Sequence, residues 1–340
     1  LHTIGLIVGL ILLGFFSDRR GRRIFILLSI LFTALFSFLL PLLPYFSLII
    51  MIRILQGFTL AGVLSAAMAY MSEELEPRSF GFAATLYISC NSLGGMTGRF
   101  VSGYLIESFS FAFAFYALAI FGLFTFVIVA LLLPKSNHFN QSRKDFRTDI
   151  KGFLYHLKNP QLLLMFGLGA VLQISFTGMW TFLPFHLMDE PFHLSLQQIS
   201  YFYFAYSLGT IGAPLAGWLS RHYDMSHLRI VGVIILTVGM LVTLNTSLVG
   251  IIIGLSLICL GFFVSHSLAS ATVSNWAETF KGSASSLYLV AYYLGVAIGT
   301  TCLTPIWENF NWKGIITVTA LLPIFYVIII KFFQRLKELA

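Results

Sequence analysis

"GFFSDRRGRR", Gly14 to Arg23, packs Asp18, Arg19, Arg20, Arg22 and Arg23 around Gly21 in a chain that is only 10% charged. Strongly apolar runs stand on both sides, from Leu1 to Phe16 and from Ile24 to Leu43. A hydrocarbon core of roughly 30 Å is crossed by about 20 mostly apolar residues in a helix, where each backbone amide finds its partner within the segment. The dense charge between two such runs therefore reads as a connection at a membrane surface. Composition agrees: 58% hydrophobic residues, 16% aromatics and a mean hydropathy of +0.90 leave too little polar surface to wrap 340 residues in water.

Working outward, the apolar runs predict eleven transmembrane helices: 1–16, 24–43, 46–71, 82–106, 111–133, 162–187, 199–219, 230–244, 249–275, 287–306 and 314–333. The first lacks a basic leader and a small-residue cleavage site, so it reads as a membrane helix rather than a signal peptide. The long polar connection divides the chain into a bundle at 1–133, a linker at 134–159 and a bundle at 160–340. With the arginine-rich turn on the cytoplasmic side, alternation puts all of the 20 basic residues inside except Lys313, Arg53 and Arg99. That count obeys the positive-inside rule and places the C-terminus in the cytoplasm of an inner-membrane protein. The net charge of +7 is thus a topology signal, and no nucleic-acid partner is implied. Cys90, Cys259 and Cys302 have no paired spacing, so neither a disulfide framework nor a metal site is expected.

The two bundles repeat each other. Gly14 and Asp18 are echoed by Gly217 and Arg221, Gly57 and Glu74 by Gly261 and Glu278, and Gly94 and Gly98 by Gly295 and Gly299. Parallel repeats in a membrane transporter stand about an axis along the membrane normal, with the solute site near the midplane. Five predicted helices precede the linker and six follow it, so a six-helix repeat implies helices two to twelve of a twelve-helix protein.

At this point the residues resemble the major facilitator superfamily. Gly14, Asp18, Arg19, Gly21, Arg22 and Arg23 fill the pattern of its motif A, and "RILQGFTLAG" resembles motif B, with Arg53, Gln56 and Gly57 in place. The helix-five segment, with Asn91, Gly94, Gly98 and Arg99, departs from the glycine–proline pattern of multidrug antiporters; the chain resembles instead the acriflavine-sensitivity or arabinose-efflux type of permease. The resemblance implies an all-α fold of two pseudo-symmetric bundles that rock by alternating access. It implies that Asp18 meets the start of helix eleven, around Gly282 to Ser286, and that the loop arginines pair with Glu73 and Glu74 as an inner gate. It further implies a proton-coupled exporter of a small organic solute, with the proton-carrying acid on the absent first helix. Glycines of helices two, five, eight and eleven, including Gly5, Gly9, Gly209 and Gly212, are expected at the interface of the halves.

Charge within a span costs at least about 2.5 kcal/mol, which singles out Arg53 and Arg99. Both lie seven residues from an outer helix end, roughly 10 Å deep, and either snorkel outward or face the cavity. His266, the midspan histidine, reads as a packing group or a proton carrier. Gln173, Thr177 and Trp180, with Tyr292 and Tyr293, are the remaining cavity candidates. Expected partners are a small organic substrate, protons and the bilayer, with the chain working as a monomer without cofactor. Two other readings stay open: import of an organic anion, and a transport-inactive fragment or sensor. An intramembrane enzyme would need a catalytic set such as HExxH or GxSxG, and the chain has neither.

Overall fold

The computed structural model describes residues 2–136 and 146–339. Arg143 and Lys144, counted above as inner-side charges, lie outside the described residues. The protein is an all-α membrane protein; among the described residues no strand occurs. The helices are α1 (His2–Arg20), α2 (Arg22–Leu39), α3 (Phe46–Glu74), α4 (Pro77–Ser108), α5 (Phe111–Leu132), α6 (Phe146–Leu157), α7 (Pro160–Met188), α8 (Leu196–Phe202), α9 (Tyr206–Leu219), α10 (Met225–Val242), α11 (Leu248–Trp276), α12 (Lys281–Thr301) and α13 (Thr304–Leu339).

Nine described helices are long and apolar enough to cross a membrane, two short of the eleven expected. The predicted span at 82–106 does form a helix, α4, but Asn91, Thr97 and Arg99 thin its apolar character. The predicted span at 199–219 is broken: α8 ends in a 3-10 turn at Tyr203–Ala205, and α9 that follows has only 14 residues. Two further elements differ from the sequence reading. The linker contains the amphipathic helix α6, and α13 is interrupted at Asn311, whose φ of 49° is not helical.

The ends are built by local chemistry. Asn159, Asp224 and Ser247 accept hydrogen bonds from the first free amides of α7, α10 and α11, satisfying donors that have no partner inside the helix. The arginine-rich segment is not a loop. Helix α1 runs through Asp18, Arg19 and Arg20, and α2 begins at Arg22, so the whole connection is Gly21. Its φ of 100° is open to glycine and strained for any side chain, which explains why the motif needs glycine there.

The chain forms two compact units. One comprises Leu1–Ile88 and Val101–Ile150; the other comprises Ser89–Phe100 and Lys151–Ala340. In the first, α3 packs on α1 and α2, and α5 packs on α2 while presenting most of its apolar surface outward, as lipid permits. In the second, α7 is the central column: Leu168, Leu172, Met179, Leu183 and Leu187 are fully buried against α11, α12 and α13.

The glycines correct one expectation. Gly5, Gly9 and Gly57 let α1 and α3 touch within the first unit; a Cβ on Gly9 would stand 2.7 Å from the Ala61 Cβ, and one on Gly5 would run into the Ile54 carbonyl. Gly209 and Gly212 likewise face Phe263 and Leu260 of α11, and Gly295 and Gly299 face Ala170 and Ile174 of α7, all within the second unit. These positions serve helix packing inside a unit. By contrast, a Cβ on Gly94, Gly98 or Gly217 would meet no atom within 4 Å.

Candidate functional site

Two groups of polar side chains stand out, one in each unit. In the first unit the motif residues converge on Arg22. Its Nε and Nη2 donate to Glu73 Oε1 at 3.1 and 3.0 Å, while Nη1 donates to Ser17 Oγ at 3.0 Å and to Asp18 Oδ1. Arg22 is 12% exposed, Glu73 22% and Asp18 38%, so the pair to Glu73 is the more enclosed one. Two guanidinium nitrogens thus share one carboxylate oxygen in partial burial, a charge-assisted contact, while Glu73 Oε2 is buried without a hydrogen-bond partner among the described residues. The other arginines do different work. Arg23 donates to the Ala130 and Leu133 carbonyls, closing the open C-terminal end of α5, and Arg19 lies over its own helix's Phe15 ring at 3.3 Å. Of the two acids expected as partners, Glu73 meets Arg22.

Deeper in the same unit, Arg53 donates to Gln56 Oε1 at 3.0 Å, and Gln56 Nε2 donates to Ser37 Oγ at 2.7 Å. The Arg53 guanidinium also lies 4.9 Å from the Phe115 ring centre. The shared helix face expected of Arg53 and Gln56 is present, and their hydrogen bonds tie α3 to α2.

The second unit holds the larger cluster. Arg99 of α4 is accessible, its Nη1 bonded to the Gly95 carbonyl at 2.9 Å and its guanidinium over the rings of Tyr206 and Tyr203 at 5.3 and 5.8 Å. Tyr203 stacks on Trp180 at 5.0 Å, and Tyr206 meets Trp180 at 4.8 Å. One turn away, Gln173 donates to Thr177 at 2.9 Å. Trp180 and Gln173 are 4% and 6% exposed, yet Trp180 Nε1 and Gln173 Oε1 meet no hydrogen-bond partner among the described residues. A buried donor or acceptor left unmet costs about 1–3 kcal/mol, so these atoms suit something that arrives and leaves. On the far side, His266 stacks between Phe262 and Tyr292, its Nδ1 2.8 Å from the Tyr288 hydroxyl. Tyr293 meets Tyr292 edge-on at 5.1 Å.

The structure thus brings Arg99, Gln173, Thr177, Trp180, His266 and Tyr292 into one neighbourhood. Asn91 and Gly94, on the same helix as Arg99, are exposed. Sequence reasoning missed Tyr203, Tyr206 and Tyr288. The i, i+3 spacing of the first two and the i, i+4 spacing of Tyr288 to Tyr292 were the available signals, hidden in a chain with 14 tyrosines.

Comparison with known proteins follows the same lines. The family model described as Major Facilitator Superfamily matches residues 1–300 and, in a second match, 169–338. An uncharacterized transporter of Buchnera aphidicola from Schizaphis graminum is 35% identical over 96% of this chain and 79% of its own length. The inner membrane transport protein YnfM of Escherichia coli is 33% identical over 97% of this chain and 79% of its own. The chloramphenicol resistance protein CraA of Acinetobacter baumannii is 27% identical over 80% and 67%. Among solved structures, the human organic anion transporter MFSD10 superposes with a TM-score of 0.73 at 17% identity, covering 97% of this chain and 82% of that one, a likeness of fold.

Proposed function

From the premise that this chain belongs to the Major Facilitator Superfamily of membrane transporters, we propose that it exports a small organic solute in exchange for protons, by alternating access, across a bacterial inner membrane with its C-terminus in the cytoplasm. The observation that carries the reading is the Arg99 cluster: a cation over two tyrosine rings, beside a buried indole N–H and a buried amide oxygen without partners. Rings take the apolar body of a solute, and the few polar atoms fix its orientation. CraA, a resistance protein, supports the outward direction.

The Arg22 cluster is proposed as the inner gate. Its ion pairs hold the ends of α1, α2 and α3 in one arrangement, and contacts made in only one state bias a two-state equilibrium.

A second reading, uptake of an organic anion, is favoured by one observation: among the described residues no carboxylate stands within ion-pair distance of Arg99. One experiment separates the two. Vesicles containing the complete transporter are given a pH gradient of either sign and a fluorescent aromatic solute, in neutral and carboxylated forms. Export predicts that the gradient drives the solute opposite to proton flow, and uptake predicts accumulation of the carboxylated form alone along with protons. Transport indifferent to the gradient rejects proton coupling. Asp18→Asn should slow transport while leaving insertion intact, and an unchanged rate rejects the gate.

A further inference from the structure

A second polar pocket lies in the second unit, where the start of α7, the start of α10, the end of α11 and the end of α13 converge. It has a volume of about 660 Å³ and is lined by Arg229, Lys331, Ser226, Asn275, Gln161 and Trp276, among others. Arg229 is the odd member. It is 5% exposed, its Nη1 donates to Thr272 Oγ1, and among the described residues no carboxylate pairs with it. Removing a cation from water is expensive, by several kcal/mol per ion, and a hydroxyl acceptor with the Asp224 carboxylate nearby but out of direct contact offsets only part of that. The one acid lining the pocket, Asp224, has its Oδ1 engaged by the Ser226 and His227 amides as the cap of α10; its single charge acts on Arg229 without touching it, and with Lys331 also present the pocket keeps a net positive charge.

The remaining chemistry points one way. A guanidinium fork and the Lys331 ammonium supply two positive charges, and Ser226, Asn275 and Gln161 supply neutral donors, an array matched to an anionic group with several acceptor oxygens. Trp276 gives an apolar wall for whatever that group is attached to. Helix ends lie at headgroup depth in a membrane-crossing bundle, where anionic lipid is concentrated on the cytoplasmic leaflet. We propose that this pocket binds a phosphate group, either a phospholipid headgroup or a soluble phosphate, as a site separate from the transported solute. The proposal does not depend on which solute the Arg99 cluster takes.

The complete chain in a detergent with an uncharged headgroup is heated with inorganic phosphate, with phosphatidylglycerol, and with diacylglycerol of the same acyl chains. The expected result is a saturable rise in unfolding temperature with a phosphate-bearing probe and none with diacylglycerol. A response to phosphatidylglycerol alone identifies a lipid site; a response to inorganic phosphate identifies a soluble one. Arg229→Gln should raise the half-saturating concentration by about tenfold or more, the worth of one charge-assisted hydrogen bond. Lys331→Gln changes an exposed side chain, keeps the test open if the first variant does not fold, and should weaken binding by about threefold. The proposal is overturned if neither phosphate probe shifts unfolding, if diacylglycerol shifts it equally, or if the folded variants respond as the parent does.

Discussion

Arg22 bridges two acids in unequal settings, and the inequality predicts which acid matters for stability. At 3.0 Å from Glu73 and an effective dielectric constant of about 20, the bare attraction is about 5.5 kcal/mol. Desolvation removes most of it, because Arg22 is only 12% and Glu73 22% exposed, leaving a net coupling of about 1–2 kcal/mol. Asp18 is 38% exposed and reaches Arg22 across the Gly21 turn, an exposed pair worth about 0.5 kcal/mol or less. Glu73→Gln alone should cost about 1–2 kcal/mol, since it removes the enclosed charge facing Arg22 and leaves Asp18 and Ser17 in place, and Asp18→Asn under about 1 kcal/mol. Reversible unfolding in mixed micelles, run on the single variants and the two double variants with Arg22→Gln, measures both couplings by double-mutant cycle. A coupling to Glu73 below about 0.5 kcal/mol, or one to Asp18 that equals or exceeds it, would refute the ranking by burial.

Three further outcomes are expected. Gly9→Val should destabilise the chain by about 1–3 kcal/mol or abolish its accumulation, because the α1–α3 seam has no room, whereas Gly98→Ala should leave unfolding unchanged; thermal scans on both decide it. Arg99→Gln should lower transport by about tenfold or more with normal insertion, and Arg99→Lys should restore part of it by keeping the charge without the flat guanidinium over the rings. At Asp224, the His227 and Ser226 amides hold the carboxyl below the usual aspartate range, so its capping contribution is complete above about pH 4 and is lost as pH falls through the lowered value. Asp224→Ala should therefore cost about 1 kcal/mol near neutral pH and progressively less in strong acid, read as the difference between the two proteins' unfolding curves.

The membrane class and the helix order were legible because lipid imposes length and apolarity on every crossing segment. Most helix ends fell within a few residues for the same reason, with Asn159, Asp224 and Ser247 as local punctuation. What stayed hidden depended on neighbours distant in sequence. The turn between α1 and α2 looked like a loop because charges were read as solvent-exposed, whereas Arg22 and Arg23 find acids and carbonyls and remain on helices. Glycine spacing alone could not say which helix approaches; only the position of Ile54 or Ala61 opposite Gly5 and Gly9 does. The break between α8 and α9 carries no proline or glycine at Tyr203–Ala205, so periodicity ran straight through it. Tyr203, in that 3-10 turn, and Tyr206, which follows it, both present their rings to the Arg99 guanidinium.

The two membrane arginines, alike in sequence, separate once their surroundings are known. Both sit within apolar helices, and both carry a cost that something must offset. Arg53 donates to the Gln56 amide oxygen, and the Gln56 amide nitrogen donates to Ser37 Oγ, so a hydrogen-bond chain runs from α3 to α2. Arg99 has one carbonyl from its own preceding turn and the faces of two rings, contacts that leave most of its donors unspent. Beside it, a buried indole donor and a buried amide acceptor are likewise unmet. A fold stabilised only for itself would have no reason to gather three unsatisfied groups of complementary character around one aromatic wall. Such groups suit a carrier, because polar atoms already satisfied within the protein would have nothing to gain from a bound solute. The same accounting that reads Arg53 as a structural strut is what supports the proposal of Arg99 as the group that meets a solute, and the Arg99→Gln transport assay tests it.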